Sequence, residues 1–152
     1  MRLLLIPVLV ALISCSPPPP KAPEQLTNEG FLDKAAKEPG AVKTPSGLIY
    51  TEIEAGTGAS PSATDTVKVH YRGTLMDGTE FDSSYKRNEP AEFPLNNVIP
   101  CWTEGVQKMK AGGKARLVCP ANIAYGPDGH PPVIPGGATL IFEIALLGVN
   151  HN

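Results

Sequence analysis

Residues Val67–Ser84 read VKVHYRGTLMDGTEFDSS, and this stretch indicates the fold. Apolar Val67, Val69 and Tyr71 alternate with polar residues, which is typical of a strand with one buried face. Asp77-Gly78 follows where the alternation stops, and this dipeptide suits the positive φ angles of a two-residue hairpin turn. The stretch therefore predicts a pair of antiparallel strands joined by a tight turn.

Period-two patterning continues on both sides of this hairpin. A strand-like run over Leu48–Ile53 is closed by Gly56-Thr57-Gly58. In a further run, Ala115, Leu117 and Cys119 alternate with Lys114, Arg116 and Val118. Ala138–Leu147 is a longer, more apolar run near the end of the chain, as expected for a strand close to the centre of a sheet. These runs predict an antiparallel sheet built from segments far apart in the sequence.

Only short segments have a helical pattern. Thr103–Lys110 has apolar residues at helical spacing, ends in lysines and is followed by Gly112-Gly113. Near the N-terminus, Asn28–Lys37 has the same character, with Asn28 as a candidate N-cap and Pro39-Gly40 as the stop. We therefore expect an α+β fold in which a bent antiparallel β-sheet wraps around one short α-helix and is preceded by a short N-terminal helix.

The first 26 residues have the pattern of an export and anchoring segment. Leu3–Ile13 is apolar but too short to span a bilayer of about 30 Å, so residues 1–14 are interpreted as a signal peptide. Ser14-Cys15 resembles the end of a lipoprotein signal, which predicts lipidation of Cys15; an unmodified cysteine after an ordinary signal peptide is the alternative. Residues 15–26 include Pro17–Pro20, typical of a stiff polyproline tether, with a partner-binding proline motif as the alternative.

Composition excludes several classes of function. The 13 Lys and Arg against 15 Asp and Glu give a net charge of −2, and without a basic run nucleic-acid binding is disfavoured. No metal-ligand spacing and no glycine-rich phosphate-binding motif occurs in the sequence, so we predict neither a metal nor another cofactor. Aromatic side chains remain as candidate site residues, although base rates favour a core position for each of them. They are Tyr71, Phe81, Phe93, Trp102, Tyr125 and Phe142.

The stretch Val67–Ser84 resembles the opening signature of FKBP-type peptidyl-prolyl cis/trans isomerases. Further motifs follow in the order and spacing of that family, so that the resemblance covers roughly Pro45–Val149. They are Arg87–Pro90, Phe93–Leu95, Val98–Pro100, Trp102–Val106, Met109, Ala124–Gly126, Val133–Pro135 and Ala138–Glu143. The resemblance implies an isomerase domain at residues 45–150, preceded by a short helical arm at residues 27–44. Phe31-Leu32 and Thr44–Tyr50 resemble the bacterial secreted subgroup of the macrophage infectivity potentiator type.

This resemblance implies an aromatic pocket that receives a prolyl ring. Trp102 would form its floor and Tyr125 and Ile134 its rim, and the rim loop around His130 could contact the substrate. The implied walls are Tyr71, Phe81, Phe93, Val98, Ile99 and Phe142. The Tyr125 hydroxyl and the Ile99 amide would bind peptide carbonyls, while Asp82, paired with Arg87, would lie beside the rotating amide. The resemblance also implies inhibition by macrolides.

The sequence departs from the family at several positions. Cys101 replaces a frequent glycine, Ala91 a frequent aromatic residue, and Ile134-Pro135-Gly136 an Ile-Pro-Pro motif. Cys101 and Cys119 could form a disulfide in an oxidising compartment or remain as buried thiols.

Two functional classes remain open at this point. The first is a foldase that accelerates Xaa-Pro isomerisation in proline-containing exported proteins without a covalent intermediate. The second is a tethered binding module that keeps the pocket but turns over poorly. In either case we expect a monomer in the bacterial envelope, lipid-anchored to the outer membrane and facing the periplasm, with no other membrane contact.

Overall fold

The computed structural model describes residues 27–152, and the predicted signal peptide, Cys15 and proline-rich tether lie outside this range. Its helices are α1 at Asn28–Ala36 and α2 at Pro100–Gln107, with short 3-10 helices at Leu95–Asn97 and Ala121–Ile123. Its strands are β1 Ala41–Lys43, β2 Ile49–Glu54, β3 Thr66–Leu75, β4 Glu80–Ser83, β5 Ala91–Pro94, β6 Lys114–Cys119 and β7 Leu140–Asn150. No helix within 27–152 is long and apolar enough to cross a membrane.

The strands form one antiparallel sheet of 7 strands in the order β1-β2-β6-β7-β3-β4, with β5 also paired to β3. The predicted central position of the last strand is confirmed, since β7 lies between β6 and β3. Tyr71 is opposite Ile144 and Gly73 is opposite Phe142, so β3 and β7, the two longest strands, are paired near the middle of the sheet. The predicted α+β fold, an antiparallel sheet around a short helix with a second helix at the N-terminal end, is confirmed.

Each helix covers a different face of the sheet. Leu117 on β6 belongs to the main core together with Val106 of α2. Its neighbour Val118 points to the opposite face, where it packs with Ala35 of α1 and with Ile49. The alternation puts Val118 on the same side of the strand as Lys114 and Arg116, but α1 covers that side at Val118 and buries it. Residues of β6 are therefore buried on both faces.

The predicted hairpin forms, but its turn differs from the prediction. The Leu75 amide bonds to the Thr79 carbonyl and the Gly78 amide to the Leu75 carbonyl, so the loop contains three residues instead of two. Gly78 has a φ of 87°, whereas Asp77 is not in the left-handed region. This is the arrangement of a type I turn followed by a bulge, which requires only one residue with positive φ.

The helix boundaries also differ from the predicted ones. Thr27, not Asn28, caps α1, because its hydroxyl accepts a hydrogen bond from the Gly30 amide at 3.1 Å. Helix α2 begins at Pro100 instead of Thr103, because proline has no amide N–H and is well accommodated in the first helical turn. It ends at Gln107, before Lys108.

The predicted arm and the predicted domain share one sheet. Strand β1 lies within residues 27–44 and pairs with β2, with Val42 opposite Tyr50. A strand of three residues carries too little pattern to be seen in the sequence, and β5, with four, was missed for the same reason. The sheet therefore begins before the predicted domain boundary at residue 45.

A disulfide joins α2 to the end of β6. The sulfurs of Cys101 and Cys119 are bonded, with the two Cα atoms 5.9 Å apart, and both residues are fully buried. The bond therefore connects the first turn of α2 to β6, which lies beside the central strand of the sheet.

We expect Gly105→Val to destabilise the fold by about 1–3 kcal/mol, because α2 packs closely on β6 at this glycine. A Cβ at residue 105 would lie 2.7 Å from both terminal methyl carbons of Leu117, which is fully buried. Urea unfolding measures the loss. Gly148→Val is the matched control, since a Cβ there meets nothing within 4 Å. Equal losses at both positions would contradict the packing argument.

Candidate functional site

A cavity of about 540 Å³ opens between the sheet and the N-terminal end of α2. Strands β3, β4, β5 and β7 each contribute at least one side chain to its lining, and α2 contributes Trp102. The lining residues are Tyr71, Phe81, Asp82, Phe93, Asn96, Asn97, Val98, Ile99, Trp102, Tyr125 and Phe142. The volume is within the range of ligand pockets, about 300–1,000 Å³.

Aromatic rings form the inner part of this cavity. Trp102 is 4% exposed, and its ring lies nearly perpendicular to those of Tyr71, Phe93 and Phe142, at centroid distances of 5.2, 5.6 and 5.3 Å. Phe81 packs edge-to-face against Phe142 at 5.5 Å. Edge-to-face contacts each add about 0.5–1.5 kcal/mol beyond area burial, so these rings hold one another in place.

A polar network lies along one side of the cavity. The Tyr71 hydroxyl donates to Asp82, and Arg87 donates to Asp82 at 2.7 Å and to the Tyr71 oxygen at 3.0 Å. Burial by itself would raise the pKa of Asp82, but the hydrogen bonds from Tyr71 and Arg87 outweigh it and hold that pKa below its ordinary value. The same burial and the bond to Asp82 raise the pKa of Tyr71. Asp82 is therefore a carboxylate and Tyr71 a neutral phenol at neutral pH.

Two hydrogen-bond donors lie beside the aromatic rings. Burial, reinforced by the charge of Asp82, raises the pKa of Tyr125, so this partly exposed side chain keeps its hydroxyl proton. Ile99 is the N-cap of α2, and its carbonyl accepts from the amides of Trp102 and Thr103. The Ile99 amide itself has no acceptor within the part of the chain that the structure describes.

Ile134 and His130 were predicted at the rim, and the structure places both outside the lining. Ile134 is 3% exposed and packs in the main core, because its backbone pairs with that of His130 and turns the apolar side chain inward. His130 is exposed, and its ring lies 5.3 Å from that of Tyr125. It touches a lining residue without itself lining the cavity.

Asn96 and Asn97 line the cavity and were not predicted. Both are exposed and belong to the 3-10 helix at Leu95–Asn97, immediately before Val98 and Ile99. Nothing in their residue type marks a site, so their position next to the motif around Val98 was the only available signal. The described residues contain no group of three or more potential ligands that could hold a metal ion.

The arrangement suits a small apolar ring with a polar flank. An apolar group would fill the space between the aromatic side chains, and carbonyls attached to it could reach the Tyr125 hydroxyl and the Ile99 amide. The lining tyrosines keep their protons at neutral pH, and the Asp82 carboxylate is engaged by hydrogen bonds from Tyr71 and Arg87, so none of them is a free nucleophile. The site is therefore built for binding and for control of the surrounding polarity.

Comparison with known proteins agrees with this geometry. The family model described as FKBP-type peptidyl-prolyl cis-trans isomerase matches residues 58–147. The FKBP-type peptidyl-prolyl cis-trans isomerase FkpA of Aeromonas hydrophila is 53% identical over 125 residues, covering 82% of this chain and 46% of the relative. The outer membrane protein MIP of Legionella longbeachae is 49% identical over 121 residues, covering 80% of this chain and 52% of the relative.

Solved structures give the same result. The crystal structure of FkpA from Escherichia coli superposes with a TM-score of 0.78 at 49% identity, covering 80% of this chain and 57% of that one. The chain spans about half the length of the FkpA relatives it matches. Since the matched region, residues 58–147, contains α2, most of the sheet and all the residues that line the cavity, the chain belongs to the FKBP-type peptidyl-prolyl cis-trans isomerase family.

Proposed function

We propose that this protein is a peptidyl-prolyl cis-trans isomerase that accelerates Xaa-Pro isomerisation in proline-containing polypeptides. The observation that carries the proposal is the aromatic cavity around Trp102, with the Tyr125 hydroxyl and the Ile99 amide beside it. Membership of the family and the names of the relatives support it. No cofactor or covalent intermediate is required.

The physics of amide rotation explains why an apolar pocket is sufficient. Rotation disrupts amide resonance against a barrier of about 18–20 kcal/mol, and uncatalysed Xaa-Pro exchange takes about tens to hundreds of seconds. The planar amide is more dipolar than the twisted transition state. Transfer from water to a cavity lined by Trp102 and Phe142 therefore disfavours the planar form more than the twisted one, which lowers the barrier.

The polar residues would orient the peptide in this cavity. We assign Tyr125 and Ile99 to binding of peptide carbonyls, since both present donors beside the apolar lining. Asp82 would lie next to the rotating amide and is held in place by Tyr71 and by Arg87, which has a supporting role. The remaining lining side chains would enclose the prolyl ring, and His130 would reach the substrate only from beyond the rim.

An exchange experiment tests the proposal directly. Catalytic amounts of the purified protein are added to a Leu-Pro peptide, and cis/trans exchange is followed by NMR with and without a macrolide of the kind that the resemblance implies as an inhibitor. We expect exchange to accelerate and the macrolide to suppress it. If the protein is shown to be folded and the peptide exchanges no faster than in buffer, the proposed isomerase activity is refuted. A tethered binding module then explains the cavity better.

We expect kcat/KM to vary by less than about twofold between about pH 5 and pH 8, because neither Asp82 nor Tyr125 gains or loses a proton there. The lowered pKa of Asp82 means that its carboxylate is lost only as pH falls through that lowered value, below the window. Tyr125 loses its proton only above its ordinary value. A rate profile of the peptide assay measures this. A change of more than about twofold within this window would contradict the prediction.

We infer that the protein is a lipoprotein of the bacterial envelope, anchored through Cys15 to the outer membrane and facing the periplasm. The apolar run before Ser14-Cys15 supports this, as does similarity to a relative named as an outer membrane protein. Incorporation of labelled palmitate into the wild type but not into Cys15→Ser tests it. Equal labelling, or none in either protein, would refute the anchor.

We infer that the protein is a monomer. The apolar side of α1 is already covered within the chain, since Phe31, Leu32 and Ala35 pack with Ile49 and Val118. A helix of nine residues therefore has little apolar surface left for a second copy. Sedimentation equilibrium tests this, and a dimer mass at micromolar concentration would refute it.

A further inference from the structure

Asn28 connects the N-terminal helix to the far end of the chain. It is the first residue of α1, and its amide nitrogen donates to the Gly137 carbonyl at 2.9 Å. Its amide oxygen accepts from the Thr139 hydroxyl at 3.1 Å, and Thr139 is 1% exposed. The side chain thus uses a donor and an acceptor at once, which an amide can do and a carboxylate cannot.

Gly137 and Thr139 end the segment that carries Tyr125. We call residues 120–139 the Tyr125 loop; it runs from the end of β6 to the start of β7. The Gly137 amide donates to the Gly126 carbonyl at 2.9 Å, and the Gly126 amide donates to the Ala121 carbonyl at 2.8 Å. The residue that Asn28 holds is therefore bonded directly to the neighbour of Tyr125.

The Tyr125 loop is packed tightly against itself between these points. A Cβ at Gly136 would lie 2.0 Å from the Pro127 carbonyl oxygen, and one at Gly129 would lie 2.4 Å from the Ile134 carbonyl oxygen. His130 and Ile134 also exchange both backbone hydrogen bonds. A loop packed in this way moves as a unit, so a restraint at its C-terminal end also acts at Tyr125.

We propose that Asn28 is a positioning residue, which holds the Tyr125 loop so that the Tyr125 hydroxyl stays over the cavity. The expected effect of Asn28 on the rate rests on the proposed isomerase function. The restraint of the Tyr125 loop by Asn28 is independent of that function. Helix α1 is then part of the site machinery, although it lies outside the cavity lining. The resemblance assigned α1 only to an arm that precedes the domain.

Amide hydrogen exchange measured by NMR on the full chain tests the restraint without any assay of activity. In Asn28→Ala we expect the Gly126 and Gly137 amides to exchange at least about fivefold faster than in the wild type, because the loop opens more often. Glu38→Gln is the matched control, since Glu38 ties the other end of α1 to Arg116 at 2.7 Å and touches no part of the loop. Unchanged exchange of Gly126 and Gly137 in Asn28→Ala would overturn the proposal.

A double-mutant cycle tests whether the restraint acts through Tyr125. We expect Asn28→Ala to lower kcat/KM about three- to tenfold, as loss of a hydrogen-bonded pair allows, and Glu38→Gln to leave it unchanged. In the Tyr125→Phe background the loss should shrink to less than half on a logarithmic scale, since the hydroxyl to be positioned is absent. A loss of the same size in both backgrounds, or none in the wild type, would overturn the proposal. A wild type without catalysis would refute the isomerase instead, and the exchange data alone would then decide the role of Asn28.

Discussion

Trp102→Leu is expected to lower kcat/KM about 30- to 100-fold, the equivalent of about 2–3 kcal/mol of transition-state stabilisation. The indole lines the cavity and packs against Tyr71, Phe93 and Phe142. Leucine is smaller and cannot make these edge-to-face contacts, so the rings lose their common support and water gains access to the bound amide. The peptide exchange assay measures the rate, and urea unfolding measures the accompanying loss of stability, about 2–4 kcal/mol.

Val106→Ala separates the effect on the site from the effect on the fold. Val106 is fully buried on the same helix but does not line the cavity. We expect it to cost stability while leaving kcat/KM unchanged at a temperature where both variants are folded. Similar rate losses in the two variants would contradict the role of Trp102 in the site.

Because Trp102 is the single tryptophan of the chain, its fluorescence in the wild type also reports binding of peptide or macrolide to the cavity.

Removal of the Cys101–Cys119 disulfide is expected to lower the free energy of unfolding by about 3 kcal/mol. The bond closes a sequence separation of 18 residues and joins α2 to β6, so its loss enlarges the conformational freedom of the unfolded chain. The comparison is between the oxidised wild type and Cys101→Ala/Cys119→Ala, both unfolded in urea. Since domains of this size have free energies of unfolding of about 5–15 kcal/mol, one such bond supplies a substantial part of the stability.

Reducing agent provides the control for the lost sulfur atoms. Both cysteines are fully buried, so the substitutions also leave small cavities. We expect reductant present throughout the titration to lower the urea midpoint of the wild type and to leave that of the double variant unchanged. A wild-type midpoint that is insensitive to reductant, together with two free thiols in the unfolded protein, would show that the bond does not form.

The two predictions concern the same end of α2. Cys101 and Trp102 are adjacent, so the disulfide anchors the helical turn from which the indole enters the cavity. Strand β6 in turn lies against β7, which carries Phe142. If the disulfide also orders the site, the reduced protein will lose part of its activity at concentrations of urea where it is still folded.

Local pattern and family motifs were sufficient for the fold class, for the central place of β7 and for most of the cavity lining. Alternation over β3 indicates which of its side chains face the core, and the long apolar run of β7 indicates a central strand. The motif spacing brought Tyr71, Trp102 and Phe142 into one hypothesis. These features repeat over many residues, so their signal does not depend on a single contact. Short elements such as β1 carry no such repetition.

Contacts between distant segments decided the rest. Val118 is buried because α1 packs over it, and Ile134 points inward because its backbone pairs with that of His130. Cys119 reaches Cys101 because α2 begins at Pro100 and places Cys101 beside β6. Asn28 was expected to cap its own helix, but its side chain forms hydrogen bonds with Gly137 and Thr139 instead. Thr27 is the N-cap. The pattern of residue types along a chain indicates which residues favour burial or a turn. The partner of a given side chain depends on which segments meet in three dimensions. Ile134 and His130 are only 4 positions apart, but the separation is 18 for the disulfide and 111 for Asn28 and Thr139.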